Sequence, residues 1–142
     1  MRRVVGLSQY SWREFGREAE FVVANYFRLK GWYILVSPCS RGAADLIAGK
    51  GSISWCIQVK ASTRAARITS QEPNNLKELS SRLNASPVLA LLQPYCVNYS
   101  NNTLDPADRR IVRDSSGEMV GVSLGQYMLF LYSVDTWKPI EP

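Results

Sequence analysis

Asp45, Gln58 and Lys60 bring an acid, an amide and a base into one short stretch of chain. Gln58 and Lys60 lie two apart in a run that reads as a strand, so their side chains leave the same face, and Ile57 and Val59 point to the other, toward core. A tight hairpin upstream brings Asp45 beside Gln58. A carboxylate, an amide oxygen and a main-chain carbonyl are hard donors, suited to a divalent cation such as Mg²⁺. Beside such an ion, an ammonium group can orient or help deprotonate a water and steady the charge that develops on a phosphate. On this reading Asp45 and Glu20 are carboxylate ligands, Gln58 an amide ligand and the Val59 carbonyl a fourth donor. Lys60 works on the water, and Mn²⁺ is the expected substitute for Mg²⁺. Taken singly these residues say less: an Asp opening a strand is often a turn residue, and a Gln-x-Lys pair is often the wet side of an edge strand.

The elements that must hold these groups can be read from the pattern around them. Residues 11–30 have the periodicity of an amphipathic helix, with Ser11 as N-cap, Glu14 completing a capping box, and Phe15, Ala19, Val22, Val23 and Tyr26 on one face. At about 100° per residue Glu20 falls at the edge of that buried stripe. Lys30-Gly31 closes the helix. Trp32 to Pro38 is β-rich. Asp45 to Ala48 is a short strand closed by Gly49-Lys50-Gly51, and Ile53 to Ala61 is the next strand. Residues 73–84 read as a helix with Pro73 near its first position and Leu76, Leu79 and Leu83 on one face. Val88 to Leu92 is a buried strand. Arg110 to Val122 reads as a hairpin turning at Ser115-Ser116-Gly117, and Tyr127 to Tyr132 as a last strand, a candidate interface because of its aromatics.

Composition narrows the chemistry further. The 142 residues are 46% hydrophobic, which suits one domain with a real core, and no apolar run is long enough to span a membrane. The basic N-terminus has too short an apolar run for a signal peptide. The chain has no histidine, so Ser-His and Cys-His nucleophile pairs and His-ligated zinc are excluded. Three cysteines without a CxxC pair argue against a disulfide scaffold or zinc site and point to the cytoplasm. The net charge of +5 suits a polyanionic partner. Residues 1–41 carry Arg2, Arg3, Arg13, Arg17, Arg28, Lys30 and Arg41 against Glu14, Glu18 and Glu20 alone.

Gly42-Ala43-Ala44-Asp45-Leu46-Ile47-Ala48 followed by Gln58-Val59-Lys60 resembles the PD-(D/E)XK nuclease superfamily, and within it most of all the archaeal Holliday junction resolvases. Gly16 to Val23 is similar to the helix on which those enzymes carry their first acidic residue; Glu20 is the match by position, ahead of Glu18. Ser40 resembles the serine in the loop before the aspartate. Resolvases carry a glutamate where this chain has Gln58, whereas Mrr-type restriction enzymes commonly carry glutamine. The resemblance covers about residues 11–92 and implies a Mg²⁺-dependent homodimer acting on branched DNA.

The expectation is therefore an α/β restriction-endonuclease-like fold, a central mixed β-sheet flanked by α-helices with a C-terminal β-hairpin addition. Residues 1–142 form one nuclease domain, with a core over about 11–92 and an extension over 93–142. The expected function is metal-dependent, structure-selective DNA endonuclease activity on four-way junctions. The rival readings are an Mrr-type restriction or repair nuclease cutting duplex DNA, and a catalytically inactive DNA-binding protein of the same fold. Arg13, Arg17, Ser40, Arg41 and Arg64 are the expected DNA contacts, with Arg2, Arg3 and Arg67 near the site. Trp12, Trp32, Trp55 and Trp137 are expected in core or interface. Asn74 and Asn75 are weaker candidates for DNA contact.

Overall fold

A computed structural model describes residues 12–37, 43–61, 71–94, 110–124 and 127–142. The first element is α1, Trp12–Leu29. Ala19, Val23, Ala24, Tyr26 and Phe27 are buried, the spacing of one helical face. The helix ends in a Schellman turn: Gly31 takes a left-handed φ of 87°, its N–H reaches the Arg28 carbonyl at 3.0 Å, and the Trp32 N–H reaches that of Phe27 at 2.9 Å. Lys50 completes the cap, donating its ammonium to the Lys30 carbonyl at 2.9 Å.

Next come β1 (Tyr33–Val36), β2 (Leu46–Lys50) and β3 (Ile53–Ala61), paired antiparallel in sequence order. The Gly49-Lys50-Gly51 turn is displaced from its expected place. Gly49 and Lys50 continue β2, opposite Ser54 and Ile53, and the chain reverses at Gly51-Ser52, where Gly51 supplies a φ of 60°. The second helix, α2, is Gln71–Arg82, beginning earlier than expected, so Pro73 sits third. A proline there costs no hydrogen bond, because N–H groups of a helix's first turn have no intrahelical acceptor. Leu76 is buried, but Leu83 lies beyond the helix and is 46% exposed.

Helix α2 is the crossover that lets β4 (Ser86–Pro94) lie parallel to β3. The hairpin expected around Ser115-Ser116-Gly117 is present as β5 (Arg110–Arg113) and β6 (Met119–Ser123). The last strand, β7 (Tyr127–Ser133), pairs antiparallel with β4 on one side and β6 on the other. It is thus an inner strand with a paired neighbour on each side, while Met128, Phe130 and Tyr132 remain half-exposed. The result is a seven-stranded mixed sheet in the order β1-β2-β3-β4-β7-β6-β5, with the hairpin extending one side.

Each face of the sheet has its own core. Under α1 lie Ile34, Leu46, Ala48, Trp55, Ile57, Val88, Ala90, Leu92, Leu129 and Leu131. Phe27 stands edge-on to Trp32 and Trp55, with ring centroids 5.4 and 5.9 Å away. Under α2 lie Ala44, Cys56, Leu76, Leu89 and Val134. Trp32 and Trp55 are core as expected, whereas Trp137 is 47% exposed in a turn. No helix among the described residues is long and apolar enough to cross a membrane.

Candidate active site

The site grows from the place where β2 begins. Leu46 is the ladder partner of Ile57, yet the Asp45 N–H also bonds the Ile57 carbonyl, at 2.9 Å. Two consecutive residues therefore address one, a bulge-like step that breaks the pairing just before the strand. Where a ladder carbonyl would next receive the Val59 N–H, the Asp45 carboxylate does so instead, with Oδ2 at 2.8 Å. Asp45 is not within β2, as expected from the sequence, but immediately before it. That offset turns its side chain from a ladder position into a bracket across the end of the strand.

Glu20 approaches from α1. It is half-buried, and its carboxyl is pushed above its ordinary pKa, first by burial and then by the negative charge of Asp45, while Arg17 one turn earlier opposes the shift. Two carboxylates from different elements thus share one neighbourhood and repel each other there. Glu18, the less favoured match, is engaged elsewhere: the Tyr127 hydroxyl of β7 donates to its Oε1 at 3.3 Å. One helix carries both acids, and the sheet sorts them to opposite sides.

Gln58, Val59 and Lys60 are all half-buried on β3. Gln58 and Lys60 follow Cys56 on the face that α2 covers, while Val59 packs with the α1 core. In a strand the N–H and C=O of one residue leave the same edge, so the Val59 carbonyl is directed to the side where Asp45 receives its N–H. Asp45 and Lys60 also make interactions beyond these.

The donor set suits a hard cation. The Asp45 and Glu20 carboxylates and the Val59 carbonyl offer oxygen, with no imidazole or thiolate among them, and the Gln58 amide, which leaves the face opposite α1, joins them only by reaching round the strand edge. Among the described residues no three His, Cys, Asp or Glu side chains converge. An ion held here would therefore depend on neutral oxygens to complete its shell. The mutual repulsion of the two acids fits such an ion, because a divalent charge between them removes it.

With this geometry in view, one known structure is informative. The chain shares its fold with Hjc of Archaeoglobus fulgidus, a Holliday junction resolvase from an archaeal hyperthermophile. The TM-score is 0.59 at 14% sequence identity, over 89% of this chain and 78% of that one. Neither a protein-family model nor a curated protein matches the sequence. The α/β architecture expected from the sequence is thus the one observed, down to the mixed sheet and its hairpin extension.

Of the expected DNA contacts, Arg17 is exposed on α1 beside Glu20. Ser40, Arg41 and Arg64 lie outside the described residues, as do Arg2, Arg3, Arg67 and the side chain of Arg13. Asn74 and Asn75 are exposed on α2. Sequence reasoning missed the Val59–Asp45 bracket, since a main-chain donor leaves no mark in a motif. It also missed Tyr127, whose hydroxyl bonds Glu18 and whose position depends on a pairing between distant strands.

Proposed function

We propose that the chain is a divalent-metal-dependent DNA endonuclease of the resolvase kind, hydrolysing phosphodiester bonds in branched DNA as a homodimer. The observation that carries this reading is the Asp45 carboxylate held on the Val59 N–H, with Glu20 of α1 near enough to feel its charge, in a fold shared with a Holliday junction resolvase. Asp45, Glu20, Gln58 and the Val59 carbonyl would hold Mg²⁺ or Mn²⁺. When bound, the ion supplies the charge that acidifies a water and offsets the charge building on the phosphate.

The protein's own groups do the rest. The Val59 N–H fixes the rotamer of Asp45, so the carboxylate is ordered before anything binds. Lys60 orients the attacking water, takes part in removing its proton, and places a positive charge against the phosphate oxygens. Gln58 contributes an oxygen without adding a third negative charge to the Asp45–Glu20 pair. A two-fold dimer would set two such sites for paired nicks across a symmetric junction.

Gln58 favours a second reading, a nuclease of Mrr type that cuts duplex DNA, and it also raises that of a DNA-binding protein without activity. Cleavage of a mobile four-way junction against a linear duplex of the same sequence, with Mg²⁺, separates these. Faster cleavage of the junction supports the resolvase reading, a preference for the linear duplex supports the second, and cleavage of neither removes both.

A further inference from the structure

The outward face of α1 has a composition that the acidic pair does not explain. Positions 17, 21, 25 and 28 are exposed and carry Arg17, Phe21, Asn25 and Arg28. At 3.6 residues per turn, Arg17, Phe21 and Arg28 fall within about 40° of one another, next to the edge on which Glu20 lies. Glu20 flanks the stripe on one side and Glu18, which meets Tyr127 of β7, on the other, so the stripe faces away from the sheet. Arg17 and Arg28 are 28 − 17 = 11 residues apart, a rise of about 16 Å along the axis.

Lys30, just after the helix, turns its ammonium away from the stripe to the Tyr26 ring, 5.9 Å from its centroid, and Lys50 reaches up from the end of β2 to the Lys30 carbonyl. These cations answer in part to the negative end of the helix dipole. That does not account for Arg17, which lies in the second turn, outside the reach of either end of the dipole. Nor does it account for the absence of any acid among the exposed positions from 17 to 30. Among the described residues no ion pair engages Arg17 or Arg28 at bonding distance.

We propose that this stripe, from Arg17 beside the acidic pair to Arg28, is a track for the phosphate backbone of a DNA arm leading away from the cleaved bond. The inference rests on the nuclease reading above and specifies where its substrate runs. Charge complementarity selects the occupant: the track offers cations spaced along a line of about 16 Å, and a nucleic-acid strand offers anions along a line. A protein partner on Phe21 is the competing occupant.

The test is the salt dependence of DNA binding by the full chain, measured by fluorescence anisotropy on a duplex and on a four-way junction without divalent metal. Removing two phosphate contacts lowers the slope of log affinity against log salt by about 1.8 on duplex DNA. The double variant Arg17→Gln/Arg28→Gln is expected to show that fall, each single variant about half of it, and Arg82→Gln on α2 none. All these positions are exposed, so the folded circular dichroism spectrum should match the wild type and the melt should shift only by the small dipole contribution of Arg28. A double variant that keeps the wild-type slope overturns the track while leaving the nuclease reading standing. An equal fall in Arg82→Gln also overturns it, since net charge alone would then be responsible. Absence of DNA binding by the wild type sinks both proposals together. If Phe21→Ser changes the mass of the protein in light scattering, the face is a protein contact and the track is wrong.

Discussion

Replacing Asp45 by asparagine and by alanine separates its two roles. Alanine removes the acceptor of the Val59 N–H and the negative charge facing Glu20; asparagine removes only the charge, since an amide oxygen still accepts the bond. A hydrogen bond to a charged acceptor contributes about 1.5–3 kcal/mol, and its part-buried setting here puts the loss at the lower end. Relief of repulsion at the half-exposed Glu20 returns well under about 1 kcal/mol, because water screens such pairs. In metal-free buffer Asp45→Ala should therefore be destabilised by about 1 kcal/mol, and Asp45→Asn should be more stable than Asp45→Ala by about that amount. The assay is urea denaturation, reading the midpoint at unchanged m. Repeated with Mg²⁺, the wild-type midpoint should rise by binding linkage and neither variant's should. Equal stability of the two variants refutes the bracket, and an equal Mg²⁺ response in all three proteins refutes Asp45 as a ligand.

Other outcomes follow from the same geometry. Because burial and Asp45 raise the pKa of Glu20, the folded protein holds that proton more tightly than the unfolded chain. Stability without metal should thus fall as pH rises from the ordinary carboxylate range through the raised value, and Glu20→Gln should flatten that fall in pH-dependent melts. Gln58→Glu should tighten Mg²⁺ binding in calorimetry while lowering metal-free stability, since it adds a third negative charge; weaker binding would remove Gln58 from the site. Phe27→Ala, which empties the space beside the stacked Trp32 and Trp55, should cost about 3–5 kcal/mol in the same denaturation assay.

What could be read in the sequence was what depends on local spacing. The helical period placed Glu20 at the edge of a buried face, and strand alternation put Gln58 and Lys60 on one side with Trp55 and Ile57 in core. The errors arose where local signals compete with pairing. Gly49 reads as a turn residue, but its hydrogen bonds to the next strand keep it in β2. Leu83 continues the apolar period of α2 after the helix has stopped, with Asn84 at a φ of 53° just beyond. The place of β7 between β4 and β6 is a non-local arrangement that periodicity does not encode.

Metal-dependent cleavage by the wild type and by Asp45→Ala is the most direct measurement of the central claim. Both are incubated with a labelled four-way junction, with and without Mg²⁺, and binding is followed in parallel by gel shift. The account predicts strand nicking by the wild type only with the ion, and binding without nicking by Asp45→Ala. Cleavage by Asp45→Ala at the wild-type rate, or by the wild type in excess chelator, would contradict it.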